Sequence, residues 1–188
     1  MKRLIQALLF ASLLSVIILS FYNKYLKDYN PYLRRQFEKF VSKPIIIPYV
    51  ELDKKVCSAF EHQSYLDKDI RLVFYLDSIS CLDCTFTTIL TYIKREEDLF
   101  NNVRMIYIFP IDKDDANDLY SNLCRIRLDG EVYFDTCNAF RKANPEFPKN
   151  KVFHTFALDS NNNVIFAGSP ISNSENDKVF RKVLQQSI

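Results

Sequence analysis

The sequence predicts an α/β domain in which a mixed central sheet is flanked by helices, preceded by one N-terminal transmembrane helix. Three observations predict this arrangement. Short apolar runs rich in β-branched and aromatic residues alternate with segments of helical periodicity. A turn-forming cluster at residues 159–163 separates two further apolar runs, and residues 4–21 are almost uninterrupted apolar sequence. Alternating strands and helices pack as a sheet that is covered by helices on both faces.

Length and composition leave room for one compact domain after the N-terminal segment. The chain has 188 residues and is 48% hydrophobic, which is ample for a core, and 16 Phe and 11 Tyr supply much of it. The formal net charge is only +2 and no long basic run appears in the domain, which argues against nucleic acid as a partner. Two glycines are too few for a Gly-rich phosphate loop, and we predict no cofactor.

Residues 1–22 are predicted to form a membrane anchor. Lys2 and Arg3 precede the apolar run, whose length is at the short end for crossing a membrane. A cleavable signal peptide is the alternative, but it would carry small residues at its cleavage site, where this chain has Phe21 and Tyr22. Because tyrosine is also typical of a membrane interface, we prefer an uncleaved anchor.

Residues 23–43 are the predicted connector, rich in charge and tyrosine, and residues 44–188 are the predicted domain. Positive charges flank the apolar run on both sides, so they do not decide its orientation. The five cysteines favour a domain outside the cytoplasm, where disulfides persist.

The domain contains a regular series of predicted elements. A short strand between Pro44 and Pro48 is predicted at a sheet edge, because proline cannot donate to an interior ladder. The other predicted strands lie at 72–76, 103–109 and 132–134, and a β-hairpin pairs 155–158 with 164–167. Four helices are predicted. The first follows residue 81, the second opens at 112–117 and runs to about 125, a short third ends near 144, and the fourth covers 176–186.

Cys81 and Cys84 stand where the strand at 72–76 gives way to a helix, whose apolar face consists of Phe86, Ile89, Leu90 and Ile93. A Cys-x-x-Cys at the start of a helix that follows a strand is typical of a thiol–disulfide redox site. Ser80 is a good N-cap, and the helix N-terminus favours the thiolate, which is the nucleophile. A static structural disulfide is the alternative interpretation.

The remaining cysteines and histidines give weaker signals. A zinc site is not predicted, because a structural site needs four ligands and the chain has no second Cys-x-x-Cys and no His pair. Cys124 and Cys137 lie on separate predicted elements and are candidates for a second disulfide, and Cys137 is alternatively a thiol that exchanges with the first pair. Cys57 is interpreted as an unpaired thiol. His154 is interpreted as a packed histidine or, alternatively, as a proton donor.

Three segments carry a resemblance to a known family. They are RLVFYLDSISCLDC at 71–84, VYFDTCNAF at 132–140 and HTFALDSNNNVIFAGSPI at 154–171. Together they resemble the thioredoxin-like superfamily, in particular membrane-tethered redoxin-type proteins of the bacterial envelope. The resemblance covers residues 44–186. It implies a thioredoxin-like fold and a single-pass protein of the cell inner membrane, whose domain faces the periplasm or the exterior.

The same resemblance implies roles for individual residues. Cys81 would be the attacking thiol and Cys84 the resolving thiol of a thiol–disulfide oxidoreductase. Its partners would be disulfide-containing envelope proteins and an unidentified electron donor. Active relatives carry Trp before the first cysteine and a cis-proline before the hairpin. Ser80, and Phe153 with His154, occupy these positions here and are candidates for substrate docking.

Two other functions are carried as alternatives. The missing proline favours a non-catalytic thioredoxin-fold module used for binding or assembly. The Ser-Ile-Ser-Cys segment at 78–81 resembles the residues that precede the reactive cysteine of peroxiredoxins, so a thiol peroxidase is the third interpretation. Phe74 stands where those proteins carry a proline, which places the peroxidase last.

Overall fold

The computed structural model describes residues 31–55, 70–77, 82–100, 103–126, 128, 130–171 and 173–186. The predicted anchor at 1–22, the first part of the connector, Cys57, Ser80 and Cys81 lie outside these residues. Contacts divide the chain into two units, residues 1–38 and residues 39–188, and the sheet belongs to the second. Within the described ranges, no helix is long and apolar enough to cross a membrane.

The described elements alternate between helices and strands. The helices are α1 (Pro31–Val41), α2 (Leu82–Arg95), α3 (Glu97–Phe100), α4 (Ala116–Leu123), α5 (Ala139–Ala143) and α6 (Ser174–Gln186). The strands are β1 (Asp53–Lys55), β2 (Ile70–Tyr75), β3 (Val103–Pro110), β4 (Glu131–Asp135), β5 (Thr155–Leu158) and β6 (Val164–Ala167). A 3₁₀ turn, Lys151–Phe153, precedes β5. From β2 onwards the predicted order is confirmed apart from α3, and both hairpin strands have the predicted bounds.

The strands form one mixed sheet. Among the described residues its order is β1–β4–β3–β2–β5–β6. β2, β3 and β4 are parallel, whereas β1 is antiparallel to β4, β5 to β2 and β6 to β5. The register pairs Tyr75 with Ile108 and Pro110 with Asp135, so the three parallel strands end at one edge of the sheet. The predicted mixed sheet is therefore confirmed.

The two faces of the sheet bury separate apolar clusters. Leu72 and Phe74 of β2 pack with side chains of α2, α4 and α6. Val73 and Tyr75 of the same strand pack on the opposite face with side chains of α5. This alternation follows from the two-residue period of a strand, and burial on both faces is typical of parallel strands. The predicted placement of helices on both faces is confirmed.

Phenylalanine rings fill the cluster that includes α5. Phe147 lies edge-on to Phe40 and to Phe140, with ring centroids 5.5 and 5.0 Å apart, and Phe156 lies edge-on to Phe40 at 5.3 Å. Edge-to-face pairs of this kind each add about 0.5–1.5 kcal/mol beyond the burial of their area. The rings fix α5 against the sheet close to the carboxyl ends of the parallel strands.

Residues 44–48 do not form the predicted edge strand. Ile45 and Ile47 are buried, but the backbone of Ile46 binds a side chain instead of a strand. Its N–H donates to Asn144 Oδ1 at 2.8 Å, and Asn144 Nδ2 donates to its carbonyl at 2.7 Å. The flanking prolines lack the N–H groups that a ladder needs. The edge beside β4 is instead β1, whose polar sequence carries no strand signal.

Asn144→Ala should destabilise the protein by about 1–2 kcal/mol, because the buried Asn144 amide would no longer bind both backbone polar groups of Ile46. Urea unfolding of the full-length protein measures this free energy. The exposed Asn161→Ala variant is the control and should change the free energy of unfolding by less than about 0.5 kcal/mol. Equal losses in the two variants would contradict the role given to Asn144.

Two helices differ from prediction. α4 ends at Leu123, before the predicted end near residue 125. α3 was not predicted, because its four residues are too few to show a helical period.

Candidate functional site

The carboxyl ends of β2, β3 and β4 meet at one edge of the sheet, and there β2 leads towards α2. β2 ends at Tyr75, and α2 begins at Leu82 with Cys84 in its first turn. Cys84 is exposed to solvent and is disulfide-bonded. Because Cys124 and Cys137 are free cysteines, the partner of Cys84 lies outside the described residues. A solvent-exposed, disulfide-bonded cysteine thus lies at the edge where the sequence predicts a redox site.

Cys124 and Cys137 do not form the second disulfide that the sequence allowed. Cys124 caps the carboxyl end of α4, which returns the chain to the amino ends of the parallel strands. Cys137 follows β4, whose five residues carry the chain back to the carboxyl ends. That strand rises by about 13 Å or more, whereas a disulfide needs Cα atoms within about 7 Å.

Two of the three docking candidates lie beside the carboxyl end of β2. The N–H of Tyr75 donates to the carbonyl of His154 at 2.8 Å, which fixes His154 next to the last residue of that strand. Phe153 and His154 are both buried, and no described peptide bond is cis. Ser80 lies outside the described residues. The antiparallel pairing of β2 with β5 therefore brings His154 to the edge that the Cys84 disulfide occupies.

Five side chains form a compact group at this edge, here called the edge cluster: Tyr75, Asp77, Arg141, Phe147 and His154. The His154 ring stacks on Phe147, with centroids 5.1 Å apart, and lies edge-on to Tyr75 at 5.3 Å. Arg141 Nε donates to the Tyr75 hydroxyl at 3.1 Å. Burial raises the pKa of Tyr75, so its hydroxyl is neutral and accepts this hydrogen bond.

Asp77 connects the two basic side chains of the edge cluster. Its Oδ1 lies 3.5 Å from His154 Nδ1, and its Oδ2 lies 3.5 Å from Arg141 Nη2. Of these five residues, only His154 was a candidate from the sequence. Asp77 had a local signal, since it is a carboxylate placed just after a buried strand. Arg141 and Phe147 had none, because only the packing of α5 brings them to β2.

The protonation of His154 follows from its hydrogen bonds. Nε2 lies 3.0 Å from the carbonyl oxygen of Pro148, so Nε2 carries the proton and donates. Nδ1 is then an acceptor, and it is buried with no hydrogen-bond partner while it faces Asp77. Burial lowers the pKa of His154, although the Asp77 carboxylate opposes this. The ring is therefore neutral at neutral pH, and Nδ1 can take up a proton on the side of the ring that faces Asp77.

The edge cluster suits proton and anion chemistry better than metal binding. The cluster has two potential metal ligands, the carboxylate of Asp77 and the imidazole of His154. A structural zinc site needs four. In the part of the chain that the structure describes, no group of three or more His, Cys, Asp or Glu could hold a metal ion.

Comparison with known proteins identifies the fold. No protein-family model matches the sequence, and no curated protein matches it. The solution structure of an uncharacterised thioredoxin-like protein from Porphyromonas gingivalis matches with a TM-score of 0.50 at 12% identity, covering 76% of this chain and 91% of that chain. The chain has a thioredoxin-like fold.

Two further structures match at lower TM-scores. AhpC from Mycobacterium tuberculosis matches with a TM-score of 0.42 at 20% identity, covering 64% of this chain and 74% of that chain. A thioredoxin-like protein from Aeropyrum pernix matches with a TM-score of 0.43 at 12% identity, covering 71% and 91%. The match to the Porphyromonas gingivalis structure shows the fold alone, because proteins that share a fold often differ in activity. In this fold, the edge cluster and Cys84 lie at the carboxyl ends of the parallel strands, where open α/β sheets bind ligands.

The protein should lose stability as the pH falls below about 6.5, the usual pKa of histidine. Because the pKa of His154 is lowered in the folded state, the unfolded chain binds the proton more readily. The stabilisation is therefore complete above the unfolded pKa and is lost as the pH falls through the lowered folded value. His154→Phe should remove this dependence in urea unfolding between about pH 7.5 and 5.5. His62→Phe, which changes the other histidine of the chain, should retain it; loss of the dependence in both variants would contradict the assignment.

Proposed function

We propose that this protein is a membrane-anchored thiol–disulfide oxidoreductase that reduces or exchanges disulfides in envelope proteins. The observation that supports this most strongly is the disulfide at Cys84, exposed in the first turn of α2 at the carboxyl edge of a thioredoxin-like sheet. We take Cys81 as its partner, because residues three positions apart can approach within the Cα–Cα range of a disulfide. Residues 1–22 would anchor the protein in the inner membrane, with the domain facing the periplasm or the exterior.

The proposed cycle uses the two sulfurs in sequence. The Cys81 thiolate attacks a substrate disulfide, which forms a mixed disulfide and releases the first substrate thiol. Cys84 then attacks the mixed disulfide, which releases the second substrate thiol and forms the Cys81–Cys84 bond. An electron donor returns two electrons to this bond. The amino end of α2 favours the thiolate form that each attack requires.

The Asp77–His154 pair supports the same proposal. Asp77 precedes Cys81 by four residues, so their Cα atoms lie within about 14 Å in any conformation of the chain. Each thiol that attacks must first lose a proton, and each released thiolate must gain one. The buried imidazole of His154 has an acceptor without a hydrogen-bond partner, Nδ1, which faces Asp77 and is suited to take up and return such a proton.

Reduction of insulin by dithiothreitol, followed by turbidity, tests the proposed activity. The full-length protein in detergent should accelerate insulin reduction. The acceleration by the Cys81→Ser/Cys84→Ser double variant should be at least about 100-fold smaller. The Cys124→Ser/Cys137→Ser double variant removes the two cysteines that are free among the described residues and should match the wild type. Equal acceleration by the wild type and the Cys81→Ser/Cys84→Ser variant would overturn the proposal. Peptide mapping after alkylation identifies the partner of Cys84, and a bond to Cys57 would equally overturn it.

The second candidate is a non-catalytic binding or assembly module. The observation that favours it is the trans peptide geometry before β5, where His154 and its stacking on Phe147 occupy the place of the relatives' docking proline. In that case the double variant at Cys81 and Cys84 would show no loss in the insulin assay and would still bind its envelope partner with wild-type affinity.

A further inference from the structure

The Arg141 guanidinium is held in a fixed position at the rim of the edge cluster. Its Cζ lies 5.0 Å from the centroid of the Tyr75 ring and 5.1 Å from that of Phe147. The hydrogen bond from Nε to the Tyr75 hydroxyl sets its orientation. The side chain is 26% exposed, so the guanidinium is held by the protein and still open to solvent. A positively charged group with this geometry loses little conformational freedom when it binds an anion.

Arg141 has more donors than its protein partners use. A guanidinium carries five N–H groups. Among the described residues, Nε–H binds Tyr75, and Nη2 lies 3.5 Å from Asp77 Oδ2, whereas a strong charge-assisted hydrogen bond spans about 2.7–2.9 Å. Asp77 is also shared with His154. The terminal N–H groups can therefore form the two parallel hydrogen bonds by which arginine binds a second carboxylate.

The position of Arg141 relates this anion site to the disulfide chemistry. Its ion-pair partner Asp77 precedes Cys81 by four residues, which limits their Cα separation to about 14 Å. Both Arg141 and Cys84 lie at the carboxyl edge of the parallel strands, Arg141 on α5 and Cys84 on α2. A substrate that spans this edge can present a disulfide to the sulfurs and a carboxylate to the guanidinium.

We propose that Arg141 binds a carboxylate of the substrate and that the protein acts preferentially on disulfides bearing a carboxylate close to the sulfur. This specificity depends on the oxidoreductase function proposed above. The reduced protein passes two electrons to the substrate: the bond between the substrate sulfurs breaks, and the Cys81–Cys84 bond forms. The two protons of the protein thiols leave with the two product thiols, so one dithiol and one disulfide are exchanged for one disulfide and two thiols.

Single-turnover oxidation of the pre-reduced full-length protein by three small disulfides tests the proposal. The probes are 3,3′-dithiodipropionate, which is anionic, 2-hydroxyethyl disulfide, which is neutral, and cystamine, which is cationic. Protein thiols that remain after each interval are alkylated and counted by mass spectrometry. Because the three disulfides differ in intrinsic reactivity, each variant is compared with the wild type for one disulfide at a time.

Arg141→Gln should slow oxidation by the anionic disulfide about tenfold more than oxidation by the neutral one. It should also speed oxidation by the cationic disulfide. Arg141→Lys should keep part of the preference, since lysine is charged but cannot form the two-pronged contact. Lys142→Gln removes the neighbouring charge on the same helix and should leave the preference intact.

Three outcomes would overturn the assignment of Arg141. The first is an equal effect of Arg141→Gln on the anionic and neutral probes, and the second is an equal loss of preference in Lys142→Gln. The third is a wild-type protein that none of the three disulfides oxidises, and only this result would also overturn the oxidoreductase function. Near-ultraviolet circular dichroism of each variant, which reports the packing of the aromatic side chains, verifies that the tertiary structure is retained.

Discussion

A Cys84→Ser variant should accumulate as a covalent mixed disulfide with its substrate, whereas Cys81→Ser should form none. In the proposed cycle Cys81 forms the mixed disulfide and Cys84 resolves it. Serine at position 84 allows the first attack and prevents the second, so turnover should fall by at least about 100-fold while the intermediate persists. Serine at position 81 removes the nucleophile, so turnover falls without an intermediate.

Non-reducing electrophoresis of cell extracts, followed by mass spectrometry of the reducible high-mass bands, measures this asymmetry. Cys137→Ser is the matched control, because Cys137 is an exposed free thiol at the same edge of the sheet. It should give neither trapped species nor loss of turnover. Trapping by Cys81→Ser would exchange the roles of the two sulfurs, and trapping by neither variant would contradict the covalent mechanism.

Gly130→Ala should destabilise the protein by about 3 kcal/mol or more. Gly130 has φ +136°, a conformation that residues with a side chain rarely adopt. A Cβ there would lie 2.8 Å from the carbonyl oxygen of Met105 and 2.9 Å from Tyr107 Cε2. Both contacts belong to β3 in the middle of the sheet, which cannot move aside without breaking its pairing with β4.

The other glycine of the chain provides the control. Gly168 has φ +132°, but the nearest atom to an added Cβ is Nδ2 of the Asn176 side chain, at 2.9 Å. Because a side chain can rotate where a central strand cannot, Gly168→Ala should cost about 1–2 kcal/mol from backbone conformation. Urea unfolding of both full-length variants gives the comparison. Equal losses of unfolding free energy in the two variants would show that the close contact with β3 adds nothing to the cost of the backbone conformation.

Much of the fold could be predicted because it is encoded in short stretches of sequence. The apolar run at 103–109 and the hairpin strands at 155–158 and 164–167 are strands in the structure. Helix α2 carries the apolar residues that its spacing predicted on a buried face, with Phe86 and Ile89 in the core. Side-chain periodicity and turn residues are local properties, so each element could be located without knowledge of its neighbours.

The errors arose where distant residues determine a local conformation. Ile45 and Ile47 have the composition of a strand, but Asn144, almost a hundred positions further on, binds the backbone between them. β1 is polar and forms a strand only because β4 offers it an edge. Cys124 and Cys137 are close in sequence and are separated by the crossing of β4. Hydrogen-bond partners of this kind are set by tertiary contacts, which short-range patterns do not specify.

The sequence by itself determined the alternation of strands and helices and placed two cysteines between a buried strand and an amphipathic helix. Only the tertiary structure decided what surrounds that junction. Arg141 reaches Tyr75 because aromatic packing fixes α5 against the sheet, and His154 faces Asp77 because β5 pairs with β2. The periodicity of side chains along a strand or helix is set by backbone geometry alone, whereas the charged and hydrogen-bonding partners of a residue depend on how the elements pack.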